Sequence, residues 1–179
     1  MREFRDDQGR PWQVALTVAA ARRVRDYVTV EVEGKKVPFD IVDVASISTT
    51  MQVLRGQYTT LAEALYYVLI AQVESKGLTQ DQFFDGLRGD ALDAGAKALE
   101  AELIDFFPER LRRMVGLLAA KMDEASAELM AKAEKAMQEA TVSDLLEASG
   151  MPSTRPPESS EYTPESGPSE SSLQPATAA

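Results

Sequence analysis

Neither cysteine nor histidine occurs anywhere in the 179 residues. Their absence removes disulfides, Cys or His zinc sites, iron–sulfur ligation, thiol catalysis and the commonest general base. Carboxylates, lysine, tyrosine and serine remain, and no glycine-rich phosphate loop, G-x-S-x-G or Ser-x-x-Lys pattern assembles them into a site. The acidic stretch from Asp81 to Asp93 fits no calcium-loop spacing, and helix caps with a solvated face account for it. The expectation is a protein that is not an enzyme, with no catalytic residues, no metal and no cofactor. Positive charge is also scarce. At a net charge of −10, with Arg22-Arg23-Val24-Arg25 as the only basic cluster and a solvated helix face as its plain reading, nucleic acid is not the expected partner. The opening MREFRDD has no apolar h-region, so no secretory signal is read and the expected location is the cytoplasm. Long hydrophobic runs are missing too: a membrane span needs roughly 18 or more consecutive apolar residues, and none is present.

What is present is 44% hydrophobic residues, enough for one core, so the reading is a single folded domain over residues 1–150. Its densest stretch, Thr60 to Lys76, contains Ala64 to Ala71 without a charged residue, so a helix there must be enclosed by protein on nearly every side. Thr60 with Glu63 reads as a capping box, and Gly77 before Leu78 as a left-handed glycine stop. Around this central helix, period-two alternation and turn residues predict one or two β-hairpins over about 2–39. The lone Trp12 sits on the apolar face, with Val14, Leu16 and Val18. A short helix from Thr17 to Tyr27 would bury Ala20, Val24, Tyr27 and Val28.

Further helices are predicted at about 47–55, 60–76, 80–88, 90–107, 108–140 and 143–149. Thr79 with Gln82 is a second capping box, and Asp90 is read as the cap of the next helix. That helix carries the stripe Leu92, Ala96, Leu99, Leu103 and Phe106. Phe107 before Pro108 forces a break. The long helix after it has a heptad-like seam from Leu111 through Val115, Leu118, Met122 and Ala125 to Leu129, then runs out of apolar area. From Met151 on, Pro, Ser, Thr and Glu dominate, and residues 151–179 read as a disordered tail. The fold class is therefore mainly α with a small N-terminal antiparallel β element, a helical core plus a disordered tail.

Four of the seven methionines, Met114, Met122, Met130 and Met137, fall on the long helix. Thioether side chains adapt to irregular partner surfaces as readily as they fill gaps in a core. Core is the expectation for Met114 and Met122. For Met130 and Met137 the two readings weigh equally, and with Leu145 and Leu146 they form the candidate partner-binding set.

The ordered pattern Phe4-x-Asp6-x-x-Gly9-Arg10-x-Trp12, then Arg23-Val24-Arg25-Asp26, an apolar helix, a short capped helix with Phe84, and Glu102-Leu103-Ile104-Asp105-Phe106-Phe107-Pro108 resembles the tail assembly chaperones of long-tailed phages and prophages. The resemblance spans most of residues 4 to 113. It implies a small acidic helical protein of the host cytoplasm that keeps a helical tape-measure protein soluble while tail-tube subunits assemble. It carries over no catalytic or cofactor residue. A homo-oligomer is compatible with it, and a membrane role is not expected. The Pro/Ser/Glu tail departs from the family pattern. The alternative from the residues alone is a non-enzymatic adaptor or regulatory domain, unrelated to phage, whose tail recruits a partner.

Overall fold

The structure, a computed structural model, describes residues 1–32 and 34–139, the last two by backbone alone. The expected helix at 143–149, the tail 151–179, Leu145 and Leu146 lie outside the described residues. By its internal contacts the chain divides between Lys132 and Ala133, and the core belongs to the first unit.

Among the described residues the fold is mainly helical with two small antiparallel sheets of two strands each. β1 (Arg2–Arg5) pairs with β2 (Pro11–Val14), placing Phe4 opposite Trp12, and both side chains are buried. α1 (Val18–Tyr27) starts from Thr17, whose side chain accepts from the Ala20 amide. It buries Ala20, Ala21 and Val24, but Val18 and Tyr27 are exposed, so neither joins the apolar face expected of it. The reason for Val18 is local: the strand ends at Val14, and the period-two alternation stops applying there. β3 (Thr29–Val32) and β4 (Lys35–Pro38) form the second hairpin, with Glu31 opposite Lys36.

A turn of 3₁₀-helix, Val44–Ser46, leads into α2 (Ile47–Gly56), and α3 (Tyr58–Ser75) follows after a single residue. α3 is the central helix: Leu61, Ala64, Leu65, Val68, Leu69 and Val73 are buried, and α1, α2, α5 (Asp90–Phe106), β2 and α4 (Gln80–Asp85) pack around it. Its start corrects the sequence reading. α3 begins two residues before Thr60, Gln57 sits at the N-cap, and Thr60 hydroxyl pairs with the Gln57 side chain instead of capping, so Thr60 and Glu63 lie inside the helix. Its end is as expected: Gly77 has φ +66°, the Leu78 amide donates to Val73 carbonyl and the Gly77 amide to Glu74 carbonyl, the paired bonds of a Schellman motif.

α4 carries the reciprocal Thr79–Gln82 capping box and closes at Gly86, shorter than the expected 80–88. At the head of α5 the N-cap is Gly89, with φ +49°, and Asp90 is the first helical residue, contrary to the expected Asp90 cap. The buried face of α5 is Ala91, Gly95, Ala98, Leu99, Glu102 and Leu103. It shares Leu99 and Leu103 with the expected stripe, whereas Leu92, Ala96 and Phe106 are only half-buried. Gly95 explains the rotation: a Cβ there would stand 2.9 Å from Leu65 Cδ1 and 3.4 Å from Phe4 Cζ, so its bare backbone lets α5 approach α3 and β1. Phe107 is extended (ψ 151°), and after Pro108 α6 runs over Glu109–Glu139.

Candidate functional site

Asp6 organises the N-terminal hairpin. Its Oδ1 accepts from the Gln8 and Arg10 amides at 3.0 and 2.8 Å, and its Oδ2 accepts from Arg10 Nε and from Trp12 Nε1 at 2.9 Å. Gly9 takes φ +76° to close the turn. Arg10 reaches on to Gln82 carbonyl, the Asp7 amide donates to Gly86 carbonyl, and Trp12 meets Phe83 edge-on at 5.0 Å. The pattern Phe4-x-Asp6-x-x-Gly9-Arg10-x-Trp12 is thus a docking device that ties the hairpin to α4. Burial pushes the Asp6 carboxyl up, but the hydrogen bonds from Trp12 and Arg10 outweigh it, and the net pKa is lowered from its ordinary 3.8. Every lone pair it offers is committed, so the group is structural.

Tyr66 and Tyr67 are half-buried at the edge of the core and join a run of rings from Tyr27, stacked on Tyr67 at 5.0 Å, to Phe84 and Phe83. Burial raises the Tyr67 pKa, with Tyr66 and Glu63 adding to it. In the basic cluster, Arg22 and Arg25 face solvent and pair with Asp26. Arg23 differs, since its Nε donates to Tyr67 carbonyl at 3.1 Å. In the acidic stretch Asp85 pairs with Arg88 and Asp93 with Lys97, and among the described residues no three carboxylates converge as metal ligands.

The long helix α6 behaves differently along its length. Val115 and Ala119 are buried, and Leu111, Leu118 and Met122 pack partly against the core. Met114 is 48% exposed, which corrects its expected core placement. Beyond Met122 every residue through Met137 is exposed, including Ala125 and Leu129, so the seam stops seven residues short of its expected end at Leu129. Met130 and Met137 are 73% and 77% exposed.

Where α6 loses the core, it leaves a groove of about 690 Å³ against α2 and α5. Its floor is apolar: Leu54, Leu92, Ala96, Ala101 and Ile104. Its rim holds Asp93, Lys97 and a clasp in which Arg55 donates to both Glu100 oxygens, one through Nε at 3.0 Å. Arg55 Nη1 lies 3.0 Å from Asp123 of α6, a charge contact outside hydrogen-bond geometry. Hydrogen bonding to Glu100 raises the Arg55 pKa against the opposing effect of burial, keeping the guanidinium charged. The groove stays open because the α6 face that presents Val115 and Ala119 continues as Asp123 and Ser126, which are too small and polar to fill it. Sequence reading missed this feature. Its signal was in the α5 stripe, where Leu92 and Ala96 were spare once Gly95 faced the core.

No family model, curated protein or solved structure matches this chain. No helix among the described residues is long and apolar enough to cross a membrane.

Proposed function

We propose that the protein is a non-catalytic binding protein of the cytoplasm that holds an apolar helical client, in the manner of a phage tail assembly chaperone holding a tape-measure protein, through Met130, Met137, Leu145 and Leu146. The observation that carries this reading is the exposed, methionine-bearing second half of α6. A helix stays folded there without burial because good helix formers dominate it, and seven residues, two turns, place Met130 and Met137 on one face. Flexible thioethers suit a client whose apolar stripe is irregular. The net charge of −10 keeps a sticky complex soluble and repels other copies. The order of residues from Phe4 to Pro108 that resembles the tail chaperones adds the client's identity.

The test is co-expression with a long helical tape-measure protein, comparing the native chain with the variant carrying Met130→Glu and Met137→Glu. The native chain is expected to keep the client in the soluble fraction and co-purify with it, and the variant to do neither. Equal solubilisation by both chains removes the methionines from the interface.

A further inference from the structure

We infer that α6 is a latched arm, which leaves and rejoins the core as one body by turning at Phe107 and Pro108 while the rest of the fold stays closed. How lightly α6 is held is the first observation. Among its described side chains only Val115 and Ala119 are buried, and Leu111, Leu118 and Met122 are half-buried, whereas α3 and α5 each bury six residues. The helices α1, α2, α4 and α5 all pack closely on α3, and α6 approaches no element as closely. Detaching α6 therefore exposes far less apolar surface than unfolding the domain does. The second observation is a joint. Phe107 is extended, with ψ 151°, and α6 starts on Pro108, whose carbonyl accepts from the Leu111 and Arg112 amides. The Pro108 ring holds its own φ, so a change of ψ at these two residues turns α6 as a rigid body, and the buried Phe107 ring keeps the pivot on the core. The bond from Arg112 to Asp105 carbonyl is exposed and lies at the joint itself.

The latch is Arg55. Glu100 of α5 takes its Nε and Nη2, so the guanidinium is fixed on the core side. From there it reaches α6 twice, with Nη2 3.4 Å from Ala119 carbonyl and Nη1 3.0 Å from Asp123. Nη1 is buried without a hydrogen-bond acceptor, and Asp123 is the charge that faces it. The docked arm therefore depends on Asp123, whereas in the open arm water reaches Nη1 and no donor is stranded. Opening frees Val115, Ala119 and Met122, which stand within about a quarter turn of Met130 on the helix, and so extends the exposed edge toward the joint. Its use in holding a client rests on the reading above; the opening itself does not.

The chain has no cysteine, so one introduced thiol reports the exposure of one site. Val115→Cys and Ala119→Cys place it on the docked face of α6, and Val73→Cys and Ala98→Cys place it at comparably buried sites of α3 and α5. Each full-length variant is reacted with an aromatic disulfide in buffer and at urea concentrations below its unfolding midpoint. The α6 thiols are expected to react at least about tenfold faster than the core thiols, with rates nearly flat in urea because opening exposes little surface, while the core thiols follow the urea dependence of global unfolding. Ala119→Cys, the milder change, suffices alone if Val115→Cys does not fold. Asp123→Ala should speed the α6 thiols about three- to tenfold. Asp6→Asn, which loosens the hairpin against α4, should speed the core thiols and leave the α6 thiols unchanged, since docked and open forms lose the same contacts. No client is present, so failure here leaves the client reading standing. Arm thiols that share the rate and urea dependence of the core thiols, no response to Asp123→Ala, or an equal response of all four thiols to Asp6→Asn would each overturn the inference.

Discussion

Asp6 shows how one buried carboxylate fixes a hairpin. Four donors converge on it, and removing its oxygens strands Trp12 Nε1 and Arg10 within the interior. Leaving such donors unpaired costs about 1–3 kcal/mol each, so Asp6→Ala should lower the urea midpoint clearly. The pH dependence follows from the depressed pKa. Because the folded value lies below the unfolded one, the contribution is fully present above about pH 4 and is lost as pH falls through the lowered folded value. Urea midpoints followed from pH 7 to pH 2 should show a steeper acid limb for the native chain than for Asp6→Asn. Identical acid limbs would mean that the carboxyl titrates normally. In the sequence the turn residues and Gly9 were legible as a hairpin, but its docking onto α4 was not, because Gln82 and Gly86, reached through Arg10 and Asp7, stand far along the chain.

Among the elements, α3 was legible because an uninterrupted apolar run has no other soluble explanation. Leu65→Ala and Leu69→Ala should each cost about 2–5 kcal/mol by the cavity they leave, read as loss of unfolding free energy. Two nearly neutral results would contradict the enclosed helix. The start of α3 was misread because T-x-x-E matches a cap wherever it falls, whereas Gly56 and Gln57 had already separated α2 from a helix beginning at Tyr58. The face of α5 was misread because a glycine adds nothing to an apolar count, yet Gly95 marks its close approach to Leu65 and Phe4. Two glycines therefore make opposite predictions. Gly95→Ala drives a methyl against Leu65 and should destabilise, whereas Gly116→Ala in α6 meets no atom within 4 Å and should stabilise by about 0.5–1 kcal/mol through helix propensity. Thermal melts of the two variants moving in the same direction would contradict this packing.

At the scale of the whole molecule, the first compact unit holds the buried core, and the described side chains of α6 from Asp123 to Met137 are exposed. The split was half legible: the heptad-like spacing showed a seam, while its end at Met122 depended on which other elements lie beside α6, which no local pattern encodes. Residues 151–179 carry almost no apolar side chains able to join a core, so a chain ending at Gly150 should melt where the full chain does, and a drop of several degrees would show that they pack. The central claim is that the exposed edge of α6 serves a partner and not the fold. The measurement that reaches it most directly is a thermal melt of the Met130→Glu, Met137→Glu variant, read beside the solubility of the co-expressed tape-measure protein. The account predicts an unchanged melting temperature together with an insoluble client; a variant that unfolds, or a stable variant that still keeps the client soluble, would contradict it.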